Sequence, residues 1–162
     1  MTTVILCVGK LKEAYWRDAA ADYTKRLQRF GPVSIIELPD LPEPKNASEA
    51  DIQKLIAQEG EAMLAQLKPR DYVVALCIDG KQRSSIEFAA DLSRIENSGA
   101  ARAVYAIGGS NGLSPAFIRR ANARFSFSPM TFPHQLARIM LLEQLYRARK
   151  ILANETYHKL SS

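Results

Sequence analysis

Apolar residues in this chain alternate between short continuous runs and longer stretches in which they recur every three or four positions. The short runs at residues 4–8, 34–38, 72–78, 103–107 and 124–127 predict five β-strands. The longer stretches predict helices at residues 15–30, 48–67, 84–98 and 133–153, with a short one after Ser114-Pro115. This order predicts an α/β fold, a mainly parallel sheet sandwiched by helices, in a single domain of residues 1–162.

Local signals predict where several elements begin and end. Ser48 with Asp51, and Ser84 with Glu87, have the spacing of a capping box, in which each side chain bonds the other residue's backbone N–H. Gly31-Pro32 is expected to stop the first helix. Asp79-Gly80 is expected to turn the chain after the third strand.

Composition indicates one compact protein and no membrane span. The chain has 162 residues, 47% of them apolar, and neither an apolar run of about 20 residues nor a secretory leader. We therefore expect a cytoplasmic protein. Cys7 and Cys77 lie in aliphatic runs, which favours packed thiols over a disulfide or a metal site, and no metal is expected.

Charge favours an anionic partner. The formal net charge is +5 and the pI is near 9.3. Basic residues cluster near both ends of the chain, which suits a polyanion better than a metabolite: Lys10, Lys12, Arg17, Lys25, Arg26 and Arg29, then Arg138, Arg147, Arg149, Lys150 and Lys159.

A glycine-rich segment at residues 108–112 directly follows the fourth strand. If strands three, four and five are neighbours, their carboxyl ends form one pocket with apolar walls and exposed backbone groups, which suits a flat heteroaromatic such as adenine. The alternative is a tight turn whose glycines serve geometry alone. Phe125 and Phe127 are better explained by burial on a strand than by ligand contact.

The final helix carries four successive apolar residues at positions 139–142, which cover its whole circumference. One interpretation is that a second apolar face packs against another subunit, giving a homodimer. The alternative is a monomer that buries this helix on two sides.

Candidate chemical groups are concentrated in the C-terminal third. Glu143 and Arg147 are four residues apart, which fits either a surface ion pair or a functional one. His134 is equally consistent with a structural and a functional role. Tyr157 and His158 are close to the chain end, where an aromatic and a titratable ring are hard to explain as core.

Three segments together resemble one known family. They are residues 107–112 (IGGSNG), residues 126–135 (SFSPMTFPHQ) and residues 143–148 (EQLYRA) followed by Tyr157-His158. The chain resembles the SPOUT class of methyltransferases, specifically its small members that act on large-subunit ribosomal RNA, and the resemblance spans essentially the whole sequence.

The resemblance implies a deep C-terminal trefoil knot, a homodimer, S-adenosyl-L-methionine as methyl donor, and methylation at N3 of a pseudouridine in 23S rRNA on the assembled ribosome. Carried onto this sequence, it assigns the cofactor to Leu76, Gly108, Phe127, Ser128, Pro129, Met130, Thr131 and Phe132. We expect Arg147 to supply positive charge and Glu143 to hold Arg147. Tyr157 and His158 are expected to cover the target base, with His158 as proton acceptor or phosphate ligand.

Two other functions fit the same residues. One is a ribosome-assembly protein that binds rRNA without transferring a methyl group, which cofactor binding would exclude. The other is an enzyme acting on tRNA, which would be active on isolated tRNA.

Overall fold

A computed structural model describes residues 1–158. The strands are β1 (Thr2–Val8), β2 (Val33–Leu38), β3 (Asp71–Gln82), β4 (Arg102–Ile107) and β5 (Ala123–Ser126). The helices are α1 (Ala14–Leu27), α2 (Glu49–Leu64), α3 (Ser85–Asn97), α4 (Pro115–Arg120) and α5 (His134–Leu152). Short 3-10 turns follow α1 and α5, at Gln28–Phe30 and Thr156–His158.

The five strands form one sheet in the order β2-β1-β4-β3-β5, and every neighbouring pair is parallel. This confirms the α/β class and the adjacency of strands three, four and five. Because all strands point the same way, the segments that follow β4, β3 and β5 emerge at one edge of the sheet.

Helices cover both faces of the sheet. One face packs against α1, α3 and α5 around Tyr105, Leu141 and Leu142. The other packs against α2 and α4 around Met63 and Phe117. No helix within residues 1–158 is long and apolar enough to cross a membrane.

The predicted helix starts are confirmed where the signal is local. Ser48 with Asp51, and Ser84 with Glu87, form complete capping boxes at the starts of α2 and α3. Ser114 caps α4 by accepting a hydrogen bond from the Phe117 N–H.

The predicted turn at Asp79-Gly80 is wrong. β3 continues to Gln82, and Phe125 of β5 pairs first with Leu76 and then, beyond an irregularity, with Lys81. A Cβ atom at Gly80 would lie 2.6 Å from the carbonyl carbon of Phe125. Glycine is therefore required here for close approach of two strands rather than for a reversal of the chain.

The apolar run in α5 is buried within its own chain. Leu141 and Leu142 are both 0% exposed, because α5 packs between α1 and α3. Ile139 and Met140 are half-buried. The run therefore does not by itself require a second subunit, and Leu142 does not face a partner.

The second basic cluster is not a basic surface. Arg138 is 2% exposed and lies against Glu37, while its Nη2 donates to the Gly9 carbonyl at 2.9 Å. Arg147, Arg149 and Lys150 each pair with a glutamate, and Lys159 lies outside the described residues.

The first basic cluster is only partly available to a partner. Arg17 donates to the carbonyls of Leu11 and Lys12 and so fixes the segment after β1. Lys10 and Lys12 are exposed, and neither forms an ion pair with any residue in the described range. These two lysines follow β1 at the same sheet edge as the ends of β3, β4 and β5.

Both cysteines are free, as expected. Burial raises the pKa of Cys7 and of Cys77 to about 11, so both thiols are protonated at neutral pH.

Candidate active site

The carboxyl ends of β3, β4 and β5 enclose a cavity of about 440 Å³, which we call the strand-end cavity. It includes seven of the eight residues predicted to bind a cofactor: Leu76, Gly108, Phe127, Ser128, Met130, Thr131 and Phe132. The eighth, Pro129, is exposed in the same loop but does not line the cavity. Apolar side chains form most of the wall, and no Asp or Glu of the described part of the chain lines it.

The glycine segment after β4 is both a tight turn and a wall of this cavity. The Gly112 N–H donates to the Gly109 carbonyl at 3.0 Å, and Gly112 has a φ of +85°. A Cβ at Gly108 would lie 2.6 Å from the carbonyl carbon of Gly112. A side chain at position 108 would therefore push against the turn itself, and the turn would have to open.

Two serines hold the loop between β5 and α5. The Ser126 hydroxyl donates to the Ser128 carbonyl at 2.9 Å and accepts from the Ser128 N–H at 3.2 Å. The Ser128 hydroxyl accepts from the Met130 N–H at 2.8 Å. These bonds fix the conformation of the loop. The sequence analysis did not assign a role to Ser126. Serine hydroxyls often bond the backbone N–H two residues further along the chain, so the local sequence contained a signal for this turn.

A buried carboxyl group lies beneath the glycine turn. Glu59 of α2 is 6% exposed, and its Oε2 accepts from the Leu41 N–H at 3.4 Å. Its Oε1 has no hydrogen-bond partner among residues 1–158 and would lie 3.1 Å from a Cβ at Gly109. Burial raises the pKa of Glu59, and Asp40 adds to the rise while the Leu41 N–H opposes it. The sequence held a signal for Glu59, because it falls on the apolar stripe of α2.

His134 is the first residue of α5, and it lines the strand-end cavity. Ala137, one turn later, also lines it. The first turn of α5 therefore closes one side of the cavity.

Three other predicted residues, Glu143, Arg147 and Tyr157, form a separate group together with Tyr23, and we call these four residues the Glu143 cluster. Arg147 Nε donates to Glu143 Oε1 at 2.8 Å, and its Nη1 donates to the Tyr157 carbonyl at 3.3 Å. The Tyr157 hydroxyl donates to Glu143 Oε2 at 2.7 Å. Both carboxylate oxygens of Glu143 are thus occupied.

Tyrosine pKa values in the Glu143 cluster are raised. Burial is the main cause for both Tyr23 and Tyr157, and the charge of Glu143 adds to it. Neither phenol is an effective base at neutral pH. Tyr23 was not predicted, because it lies on α1 and reaches Glu143 only through the packing of α1 against α5.

Tyr157 also packs against the core, contrary to expectation. Its ring makes an edge contact with Tyr146 at 4.9 Å between centroids and lies 5.0 Å from the Arg147 guanidinium carbon. The 3-10 turn at Thr156–His158 folds back onto α5 and produces these contacts. The side chain of His158 lies outside the described residues.

The structure does not bring the two groups into one site within a single chain. Ten residues of α5 separate Ala137 from Arg147, which corresponds to about 15 Å along the helix axis. A smaller depression of about 220 Å³ lies between, lined by Phe127, Met140 and Glu143 among others, but neither Arg147 nor Tyr157 reaches it. In the described part of the chain, no three His, Cys, Asp or Glu side chains are placed to hold a metal.

Comparison with known proteins agrees with this architecture. The family described as "Predicted SPOUT methyltransferase" matches residues 1–158. A protein of Exiguobacterium sibiricum named "Ribosomal RNA large subunit methyltransferase H" is 47% identical over 159 residues, covering 98% of this chain and 100% of that protein. The crystal structure of a probable methyltransferase from Bordetella pertussis is 14% identical, with a TM-score of 0.50 over 91% of this chain and 93% of that one, and supports the fold alone. Because the family match and the curated relative both extend along essentially the whole sequence, the chain belongs to the SPOUT methyltransferase family.

Proposed function

We propose that this protein uses S-adenosyl-L-methionine to methylate N3 of a pseudouridine in 23S rRNA on the assembled ribosome, in the cytoplasm. The observation that carries the proposal is the strand-end cavity, built from the ends of three adjacent parallel strands in a chain of this family. The name of the relative from Exiguobacterium sibiricum supports large-subunit rRNA as the substrate.

The cavity suits the proposed cofactor. Leu76, Ile107 and Phe127 offer apolar contact for an adenine ring, and the turns at residues 108–112 and 127–132 offer backbone groups for its polar edge. The tight approach of Gly108 to Gly112 keeps that wall free of side-chain bulk. When bound, S-adenosyl-L-methionine supplies a methyl group made electrophilic by a sulfonium charge.

The Glu143 cluster is suited to activating the nucleophile, the N3 nitrogen of the target base. A uracil-type N3–H is a weak acid, so its deprotonation is favoured by a fixed positive charge near the ring. Arg147 carries that charge, and Glu143 fixes the orientation of its guanidinium group through the 2.8 Å bond. Tyr157 and His158 are proposed to cover the target base, with His158 or solvent as proton acceptor and His158 alternatively a phosphate ligand.

We further propose that the working enzyme is a homodimer with composite sites. The strand-end cavity of one subunit would face the Glu143 cluster of the other, because Arg147 and Tyr157 reach neither the cavity nor the depression beside it. A two-fold symmetric dimer creates two such sites at once. Lys10 and Lys12, exposed at the cavity's sheet edge, are proposed to contact rRNA phosphates.

The direct test is nucleoside mass mapping of 23S rRNA from cells with and without the protein, together with methyl transfer from labelled cofactor to purified ribosomes. Loss of one N3-methylpseudouridine in the deletion strain and its restoration in vitro is expected. Cofactor binding without any methylated nucleoside would contradict the enzyme assignment. Methylation of isolated tRNA would instead identify the alternative substrate.

A further inference from the structure

A second cavity of about 430 Å³ lies between α3 and the free edge of the sheet, and we call it the α3 cavity. It is nearly equal in volume to the strand-end cavity, and the two share only Phe125 in their walls. Nothing in the proposed methyl-transfer chemistry uses it.

The rim of the α3 cavity is cationic. Four basic side chains, Lys81, Arg83, Arg94 and Arg124, line it against the two carboxylates of Asp79 and Asp91. Asp91 is shared by Arg83 at 3.0 Å and Arg94 at 2.8 Å. The excess of positive charge favours an anionic ligand.

Part of the rim is accessible to a ligand. The side chains of Arg94 and Arg124 are 62% and 52% exposed, and Asp79 lies 3.6 Å from Arg124. Lys81 is exposed and forms no ion pair with any residue from 1 to 158.

The floor of the α3 cavity is apolar and partly aromatic. Val74, Phe88, Ile95 and Tyr105 form it, and each is less than 10% exposed. A ligand that satisfies both parts has a flat, weakly polar portion for the floor and a negative charge for the rim. A single nucleotide with its phosphate has this composition, and guanidinium planes such as that of Arg94 also stack on bases.

The α3 cavity and the strand-end cavity are neighbours along β3. Consecutive residues of β3 line the two, Ile78 in the strand-end cavity and Asp79 in the α3 cavity. Ile78 is 54% exposed. The two cavities are therefore close enough for neighbouring nucleotides of one RNA strand to occupy them.

We propose that the α3 cavity binds an unstacked nucleotide of rRNA that neighbours the methylated one. The base lies on the floor, and the phosphate is held by Lys81, Arg94 and Arg124. This inference rests on the proposed function for the identity of the RNA. Recognition of the neighbouring nucleotide is thereby assigned to the α3 cavity, which makes no contact with the cofactor.

Two variants test the proposal. Arg94→Glu reverses one rim charge, and Ala123→Trp fills the cavity from β5 without changing charge. Arg119→Glu is the matched control, since Arg119 is exposed on α4 at the other face of the sheet and makes the same charge change. The measurements are binding to purified large ribosomal subunits and to assembled ribosomes, steady-state methylation, cofactor affinity, melting temperature and molecular mass.

We expect Arg94→Glu and Ala123→Trp each to weaken ribosome binding and raise KM for ribosomes about tenfold. Cofactor affinity, kcat and mass should stay at the wild-type values, and Arg119→Glu should bind like the wild type. If Ala123→Trp does not fold, Arg94→Glu against Arg119→Glu decides alone.

Four results would overturn the proposal. Equal loss in Arg94→Glu and Arg119→Glu would indicate general electrostatic attraction. A changed mass in Ala123→Trp would assign the cavity to a subunit contact, and a lost cofactor affinity would assign it to the cofactor site. Absence of ribosome binding by the wild type would also refute it, whereas binding without methylation would refute only the proposed methyl transfer.

Discussion

The Tyr157 hydroxyl and Arg147 share the carboxyl group of Glu143, one at each oxygen, at 2.7 and 2.8 Å. Tyr157 therefore helps Glu143 to orient the Arg147 guanidinium group, and it does so through contacts within one chain. Removing the whole tail would also remove the Tyr146 contact, so a single-atom change is the sharper experiment.

Tyr157→Phe should lower kcat about tenfold while leaving cofactor affinity unchanged, because the ring stays packed and only the hydroxyl's interactions with Glu143 and Tyr23 are lost. The free energy of unfolding should fall by about 0.5–1.5 kcal/mol. Single-turnover methylation and thermal denaturation measure the two effects. Tyr15→Phe, at a tyrosine that is 64% exposed, is the control and should change neither. Wild-type kcat in Tyr157→Phe would show that the hydroxyl has no part in the reaction.

Arg147→Lys should reduce kcat about a hundredfold at unchanged cofactor affinity, since lysine keeps the charge but loses the fixed geometry of the guanidinium group. Steady-state kinetics on ribosomes measure this. Arg149→Lys is a matched control two residues away, because Arg149 pairs with Glu96 at 2.9 Å rather than with Glu143. A similar fall in both variants would attribute the effect to helix stability.

Gly108→Ala should weaken cofactor binding more than tenfold, because its Cβ would lie 2.6 Å from the Gly112 backbone and the turn would have to open. Calorimetric titration with S-adenosyl-L-methionine is the measurement. Gly99→Ala controls for glycine substitution in general: Gly99 has a φ of +86° and open space around it, so it should lose about 1 kcal/mol of stability and no affinity. Unchanged affinity in folded Gly108→Ala would contradict the pocket assignment.

Light scattering should give twice the 18.0 kDa chain mass. Mixing two impaired variants should restore activity when it is assayed at a cofactor concentration too low for Gly108→Ala to bind. In a heterodimer of Gly108→Ala with Arg147→Ala, one composite site keeps an intact cavity and an intact Glu143 cluster. Random subunit exchange should give roughly one quarter of wild-type activity if each site spans two chains. No recovery, with heterodimers confirmed by mass, would place each site within one chain.

Glu59→Gln should remove the fall in folding stability that ionisation of Glu59 causes as the pH rises. The pKa of Glu59 is raised in the folded state, so the folded protein holds this proton more tightly than the unfolded chain does. Stability therefore falls as pH rises from the unfolded value of 4.5 through the raised folded pKa. The melting temperature of Glu59→Gln should exceed that of the wild type at pH 7, and the difference should shrink below pH 4.5. A constant difference across this range would show that ionisation of Glu59 is not the cause.

Local signals in the sequence were reliable. Both capping boxes depend on residues three positions apart and form as predicted. The meeting of three strand ends followed from parallel pairing, and seven of the eight expected cofactor residues line the resulting cavity.

Long-range packing explains what the sequence did not predict. Gly80 lies against the backbone of Phe125, which is 45 positions away in sequence. Because that contact is not visible in the local sequence, Asp79-Gly80 was interpreted as a turn. Leu142 is covered from two sides by helices, and Tyr157 folds onto Tyr146. The apolar pattern of a helix or strand predicts that a residue is buried, but it does not predict which other element packs against that residue.

The bond from Arg138 to the Gly9 carbonyl joins residues 129 positions apart. During translation, α5 is made after all five strands, so this bond and the side of the strand-end cavity formed by α5 cannot exist before α5 has been synthesised. Truncated nascent chains therefore lack a finished pocket. The cavity proposed to bind the cofactor is thus completed by an element that is synthesised after the whole sheet.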